Sequence, residues 1–235
     1  MAKSIAIMQP YFFPYVGYFQ LVNAVDEFIV FDDVNFIKKG WINRNYISAN
    51  GKSKLFTVPL LKPSQNKLIK ETEVHPTEYL KFKKTFLATL KHTYSKSPYF
   101  EQTFSMVEDI LAESTTIANL ALKSVITVAA YLEMKTDFMV SSDFQADKEL
   151  KGQDRILNLC TARDASEYLN LSGGKNLYQV EDFQQQNIEL KFVSTDFSSL
   201  KKIDQSFNFQ LSVIHLLMHF SPRRINDFLK IYNLT

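Results

Sequence analysis

Apolar positions along the chain follow two rhythms, and their alternation predicts the fold. A short apolar run over Ser4–Met8 gives way to a bend rich in proline and aromatic residues, then to an apolar-periodic stretch, then to a second run over 28–31. This reads as strand, loop, helix, strand, and two strands bridged by a helix pair in parallel through a right-handed crossover. Runs at 137–141, 167–170 and 188–193, interleaved with helical spacing after Asp154-Arg155 and over 180–186, continue the rhythm. Residues 45–49 and 55–59 flank Asn50-Gly51, a pair suited to a type I′ turn, and predict a hairpin; 69–74 reads as a further strand.

The middle of the chain is helical in pattern. Tyr79, Phe82, Phe86, Leu90 and Tyr94 form one stripe, with Lys81, Lys83, Lys84 and Lys91 off it. Periodic runs follow at 104–111 and 117–134, with Ser114 or Thr115 as a cap, and the tail over 206–234 reads as two helices broken at Ser221-Pro222. The expected architecture is α/β: a mainly parallel sheet with flanking helices, a β-hairpin flap and an α-helical subdomain. Residues 1–75 and 136–204 form the core with its flap, 76–135 the helical insertion, and 205–235 helices packed on the core.

Length and charge narrow the function. A chain of 235 residues suits one large or two small domains and buries roughly 70% of its unfolded surface. Its 27 basic and 25 acidic residues give no field that would attract nucleic acid nonspecifically. A single cysteine, Cys160, rules out an internal disulfide and fits a reducing cytoplasm. The first apolar run is broken by Gln9 and Pro10, unlike a secretory signal, and no apolar stretch is long enough to span a bilayer. The expected partner is therefore a small molecule, and the oligomeric state stays open.

Three stretches carry candidate chemistry. In open parallel sheets, ligands sit beyond the carboxyl ends of the strands, where helix N-termini point their free N–H groups. The bend after the first strand holds Gln9, Tyr11, Tyr15, Gly17 and Tyr18. Gly17 there reads as backbone clearance, and the aromatics equally well as core or site. After the second strand come Asp32 and Asp33, hard oxygen ligands suited to Mg²⁺ or a ribose hydroxyl, or else a helix cap. Trp41, Asn43, Arg44 and Asn45 follow, with Arg44 as an anion clamp, the asparagines as orienting groups and Trp41 as a stacking wall or ordinary core. Farther on, Ser172, Gly173, Gly174 and Lys175 can form an anion nest with an ammonium, or a plain turn.

The Tyr15-Val16-Gly17-Tyr18 tetrad, framed by Pro10 and Pro14, resembles the HxGH signature of HIGH-type nucleotidyltransferases, with tyrosine at both histidine positions. A tyrosine is neutral at pH 7 and offers no imidazolium for a phosphate. That resemblance implies a nucleotidyltransferase or HUP-like core. Longer blocks, MQPYFFPYVGYFQL, DEFIVFDDVNFIKKGWINRN and YLNLSGGKNLY, resemble in content and order the WbqC-like protein family. Members of that family resemble genes of bacterial O-antigen and other surface-polysaccharide clusters. The resemblance, joined to the three loops, implies an enzyme acting on a nucleotide-linked or phosphorylated sugar. In that reading Arg44 and Lys175 neutralise charge, Asp33 binds metal or hydroxyl, and Tyr15, Gly17 and Tyr18 shape the phosphate site. A nucleotidyl, acyl or aminoacyl group could be the one moved. The alternative is a degenerate relative that binds a nucleotide sugar or scaffolds other enzymes. Where the family tends to read Ser-Ile-x-Asp-Leu-Leu, this chain has His215 at the acidic position.

The histidines and the cysteine point to structure. His75 and His92 lack a ligand-like partner, and His215 and His219 are four apart without the central Glu of a HExxH site. Cys160 sits among apolar neighbours and reads as a packed thiol.

Overall fold

The computed structural model describes residues 3–49, 51–113, 115–144 and 149–235. Strand β1 (Ser4–Met8) leads into α1 (Val16–Asn23), β2 (Glu27–Val30) and the hairpin of β3 (Arg44–Ala49) and β4 (Lys52–Thr57). Helices α2 (Pro76–Tyr94), α3 (Phe100–Ile110) and α4 (Ile117–Tyr131) follow, then β5 (Asp137–Val140), α5 (Gly152–Ala162), β6 (Glu167–Leu171), α6 (Val180–Gln185) and β7 (Glu189–Thr195). The chain closes with α7 (Phe197–Ile203), α8 (Val213–His219), α9 (Pro222–Phe228) and β8 (Tyr232–Leu234).

The six-stranded sheet has the order β5-β2-β1-β6-β7-β8, parallel throughout except for β8, which runs antiparallel to β7. Its centre is continuously apolar because both faces are covered. Alternation along β1 assigns the faces: Ala6 packs into a large cluster with α1, α4 and α8, whereas Ile5 and Ile7 face Ile156, Leu159 and Cys160 of α5 and Phe183 of α6. Strand order reverses between β1 and β6, since successive parallel strands build outward on one side of β1 and then on the other. The parallel α/β sheet and the antiparallel hairpin follow from the hydrophobic rhythm.

Local differences have identifiable causes. Residues 69–74 do not form a sheet strand: Ile69–Glu71 is a 3-10 turn, and Glu73 and Val74 make only isolated bridges. The Thr72 hydroxyl donates to the Leu68 carbonyl at 2.8 Å, a side-chain bond that competes with a ladder and turns Ile69 into the core. Helix α7 stands where no element was expected, capped by Asp196, whose carboxylate accepts from Ser199 N–H. The tail breaks at Ser221-Pro222 as expected, but its first helix begins only at Val213 and its last residues pair with β7. Helix α3 starts at Phe100, and α4 is capped by Thr116, one residue beyond the expected Thr115; Ser114, the other expected cap, lies outside the described residues, as does Asn50 of the hairpin turn. Gly51 adopts φ +70°, the left-handed conformation that favours glycine.

Three of the four histidines have structural contacts, and His92 is exposed. His75 caps α2, its Nδ1 accepting from Glu78 N–H. His215 lies flat on Phe207 at 4.3 Å, and its Nδ1 is 3.2 Å from the Tyr94 hydroxyl, whose oxygen already accepts from Ser48 N–H. The Tyr94 hydroxyl and His215 Nδ1 share a hydrogen bond whose direction follows the imidazole tautomer. Burial, with His219 nearby, lowers the His215 pKa to about 3, and burial lowers His219 as well, partly offset by Asp204.

A folded pKa below the unfolded one means that acid favours the unfolded chain: this stability is intact above about pH 6.5 and lost as pH falls toward 3. The loss from His215 approaches about 1.4 kcal/mol per pH unit. Thermal denaturation from pH 7 to 4.5 should show Tm falling for the parent and falling less steeply for His215→Gln, which keeps a hydrogen-bonding group beside Tyr94.

Candidate functional site

The bend after β1 is held by its own backbone. Phe13 sits at φ +45°, uncommon for a bulky residue. Its N–H donates to Ser124 Oγ at 3.0 Å, and its carbonyl accepts from Asn45 Nδ2 at 2.7 Å and Ser212 Oγ at 2.8 Å. Three distant elements thus fix one turn. Beneath it Tyr18 is fully buried, donating its hydroxyl to the Gln9 carbonyl at 3.0 Å, so it braces the bend from below. Tyr15 caps the start of α1 without a side-chain cap bond and stacks on Phe197 at 6.5 Å.

A cleft of about 590 Å³ opens at the carboxyl ends of β1 and β6, where the strand order reverses. One wall is Met8, Gln9, Tyr11 and Tyr15; the opposite wall is Asn170, Leu171, Ser172, Gly173, Gly174 and Tyr178. Ile37 and Trp41 form one rim and Leu177 another, all substantially exposed, and Gly152, Gln153 and Ile156 of α5 line the floor with Ile7 and Phe31. A second cavity of about 310 Å³ shares Tyr11, Tyr15 and Trp41 with it and adds Pro14, Asn45, Phe197 and Gln210. The N–H of Phe12 donates to the Trp41 carbonyl at 3.3 Å, joining the bend to the rim. Burial raises the pKa of Tyr11, Tyr15 and Tyr18, a hydrogen bond to Thr195 partly offsetting it at Tyr15, so all three hydroxyls are neutral near pH 7.

No charged side chain is among the described residues lining this cleft. Arg44 spends its guanidinium on the loop before it, Nε donating to the Gly40 carbonyl at 3.1 Å and a second nitrogen to that of Lys39. Lys175 is exposed, with Nζ over the Phe192 ring at 5.6 Å. Asn43 is buried, donating to the Val58 carbonyl at 2.9 Å. Asp33 lies below the floor in a buried ion pair with Arg155 at 3.1 Å, and accepts from Ser141 Oγ at 2.5 Å. Asp32 accepts from Ser142 N–H and Ser142 Oγ, and its own N–H donates to Ser141 Oγ at 3.2 Å. A donor pair already committed to a guanidinium and two serines does not fit Mg²⁺, and no group of three metal-ligating side chains occurs among the described residues. Burial pushes the Cys160 thiol up to about 12, which keeps it protonated.

Against this geometry, a family model described as the WbqC-like protein family matches residues 9–227. The chain belongs to the WbqC-like protein family. This WbqC-like chain is also 28% identical over 222 residues to "Uncharacterized protein Rv1507c" of Mycobacterium tuberculosis, covering 92% of this chain and 94% of the relative. The three blocks that resemble the family in sequence meet in space: the first supplies the aromatic wall, the second the Ile37-Trp41 rim, the third the Asn170-Tyr178 wall. His215 faces Tyr94 and Phe207 and does not line the cleft. Sequence reasoning missed the α5 contribution, which precedes the third block, and also Tyr178 and Asn170. Tyr178 and Asn170 carried a signal, since both stand inside that block. Among the described helices, none is long and apolar enough to cross a membrane.

Gly17 is the tightest position in the site. A Cβ there would lie 2.5 Å from Thr195 Oγ1 and from both a ring carbon and the hydroxyl oxygen of Tyr15. Gly17→Ala should therefore displace Tyr15 and destabilise the chain by about 1–3 kcal/mol in urea titration, as overpacking does. Arg155→Met should cost more, about 3–5 kcal/mol by the same measurement, because it leaves the Asp33 charge buried without its cation.

Proposed function

We propose that this WbqC-like chain binds a nucleotide-linked or phosphorylated sugar in the switch-point cleft, as part of surface-polysaccharide assembly. The observation that carries the reading is the coincidence of three family-like blocks around one concave, aromatic-walled opening at the reversal of strand order. Such crevices are where open α/β sheets take their ligands, and the cleft volume lies in the usual range for small-molecule sites. Tyr11, Tyr15 and Trp41 offer ring faces for a base or sugar. Ser172, Gly173 and Gly174 border the cleft as a 3-10 turn whose backbone N–H groups are the local anion donors. Arg44 contributes by bracing the Lys39-Gly40 turn beside Trp41.

Group transfer in such a site rests on orientation and on fixed dipoles, without a protein nucleophile. A second reading, binding without turnover, is favoured by the uncharged lining, since no acid or base among the described residues faces the opening.

Calorimetry with UDP- and dTDP-sugars should give binding to the parent chain, about tenfold weaker binding to Trp41→Ala from the lost stacking face, and affinity within about twofold for Lys175→Ala, whose ammonium lies over Phe192. Absence of binding by every nucleotide sugar would overturn the proposal. Product formation under excess substrate separates transfer from binding alone.

A further inference from the structure

Below the Ser172–Leu177 turn, three side chains form a hydrogen-bond circuit whose protons can be counted. Asn170 is buried, and its Oδ1 accepts from Leu171 N–H at 2.7 Å, which orients the amide so that Nδ2 faces two tyrosines. Nδ2 donates to the Tyr168 hydroxyl at 3.0 Å and to the Tyr178 hydroxyl at 2.8 Å, using both its protons. The two hydroxyl oxygens are 3.1 Å apart, and one must donate to the other.

If Tyr178 were the donor, the Tyr168 proton would have no acceptor among the described residues, at a residue with 0% exposure. An unmade bond there costs the full desolvation of the group. If Tyr168 donates, the spare proton belongs to Tyr178, which is only partly buried and lines the cleft. The second arrangement leaves no fully buried donor unmatched. Burial raises the pKa of both hydroxyls.

We infer that Tyr178 presents its hydroxyl proton to the cleft, and that the part of the ligand bound against it is an uncharged ring carrying an acceptor oxygen, a sugar hydroxyl or a pyrimidine carbonyl. The two bonds that the Tyr178 oxygen accepts polarise its O–H and strengthen the donation. The uncharged lining agrees: a phosphate at this depth would meet no cation among the described residues, whereas a neutral ring meets Tyr178 together with the ring faces of Tyr11, Tyr15 and Trp41. This inference rests on the nucleotide-sugar reading for its ligand, but the proton's position is independent of it.

Two measurements on the full chain test it. Proton NMR of the ligand-free protein, with hydroxyl protons assigned through the tyrosine ring carbons, should show a slowly exchanging proton on Tyr168 and none on Tyr178. A slow proton on Tyr178 bonded back to Tyr168 would overturn the assignment. Calorimetry with UDP, a UDP-hexose and the free hexose should show Tyr178→Phe weakening binding about fivefold to tenfold, the worth of one hydrogen bond, with Tyr168→Phe changing it far less. Equal losses in the two variants would make Tyr178 a packing residue and overturn the proposal. A loss already present with UDP assigns the pyrimidine carbonyl, and one confined to the UDP-hexose assigns the sugar. Failure of the parent to bind any of the three would sink the nucleotide-sugar reading while leaving the NMR result to decide the donor.

Discussion

Much of this structure depends on the backbone of one residue. Phe13 holds a left-handed conformation that a bulky side chain adopts only under constraint, and the constraint is visible: both its polar backbone groups are bonded, to Ser124 of α4, to Asn45 of β3 and to Ser212 ahead of α8. The C-terminal segment adds main-chain bonds alongside, with Ser212 N–H reaching the Tyr46 carbonyl and Val213 N–H the Pro14 carbonyl. The bend is thereby the meeting point of sheet, hairpin, helical layer and tail. The cleft wall it forms is as rigid as the packing of four separate regions allows.

Charge is arranged around the cleft, and none of the described residues lining it is charged. The Asp33-Arg155 pair and the Asp32-Ser142 bonds lie under the floor, where they fix the start of the β2-following loop to the end of β5 and to α5. Such a pair is costly to bury and costlier to break. Its placement makes α5 and the loop after β2 behave as one support, and the described residues lining the opening are apolar, aromatic, amide, hydroxyl and glycine residues.

The sheet topology explains why this opening exists. On either side of β1 the crossovers diverge, α1 to one face and α5 and α6 to the other, so the loops leaving β1 and β6 separate and cannot fill the space between them. Membership of the WbqC-like protein family agrees with this geometry, since the sequence blocks that resemble the family are those that flank the gap.

The linear pattern carried the architecture. Apolar runs of strand length, helical periodicity, the hairpin and the break at Ser221-Pro222 are local signals, set by period and backbone chemistry, and the three loops that border the cleft were legible as loops because each follows a strand. The short pairing of β8 with β7, the turn at Ile69–Glu71 and helix α7 were not legible, since each depends on partners far away in the chain or on a side-chain bond that outbids a ladder. Side-chain destination was equally hidden. Arg44, Asn43, Asn45 and Asp33 are polar residues of the kind that fill sites, yet the structure uses their groups on neighbouring carbonyls and on Arg155, while Tyr178 and Gln153 reach the cleft. Residue type states what a group can bond, and only the fold decides which partner lies within 3 Å of it.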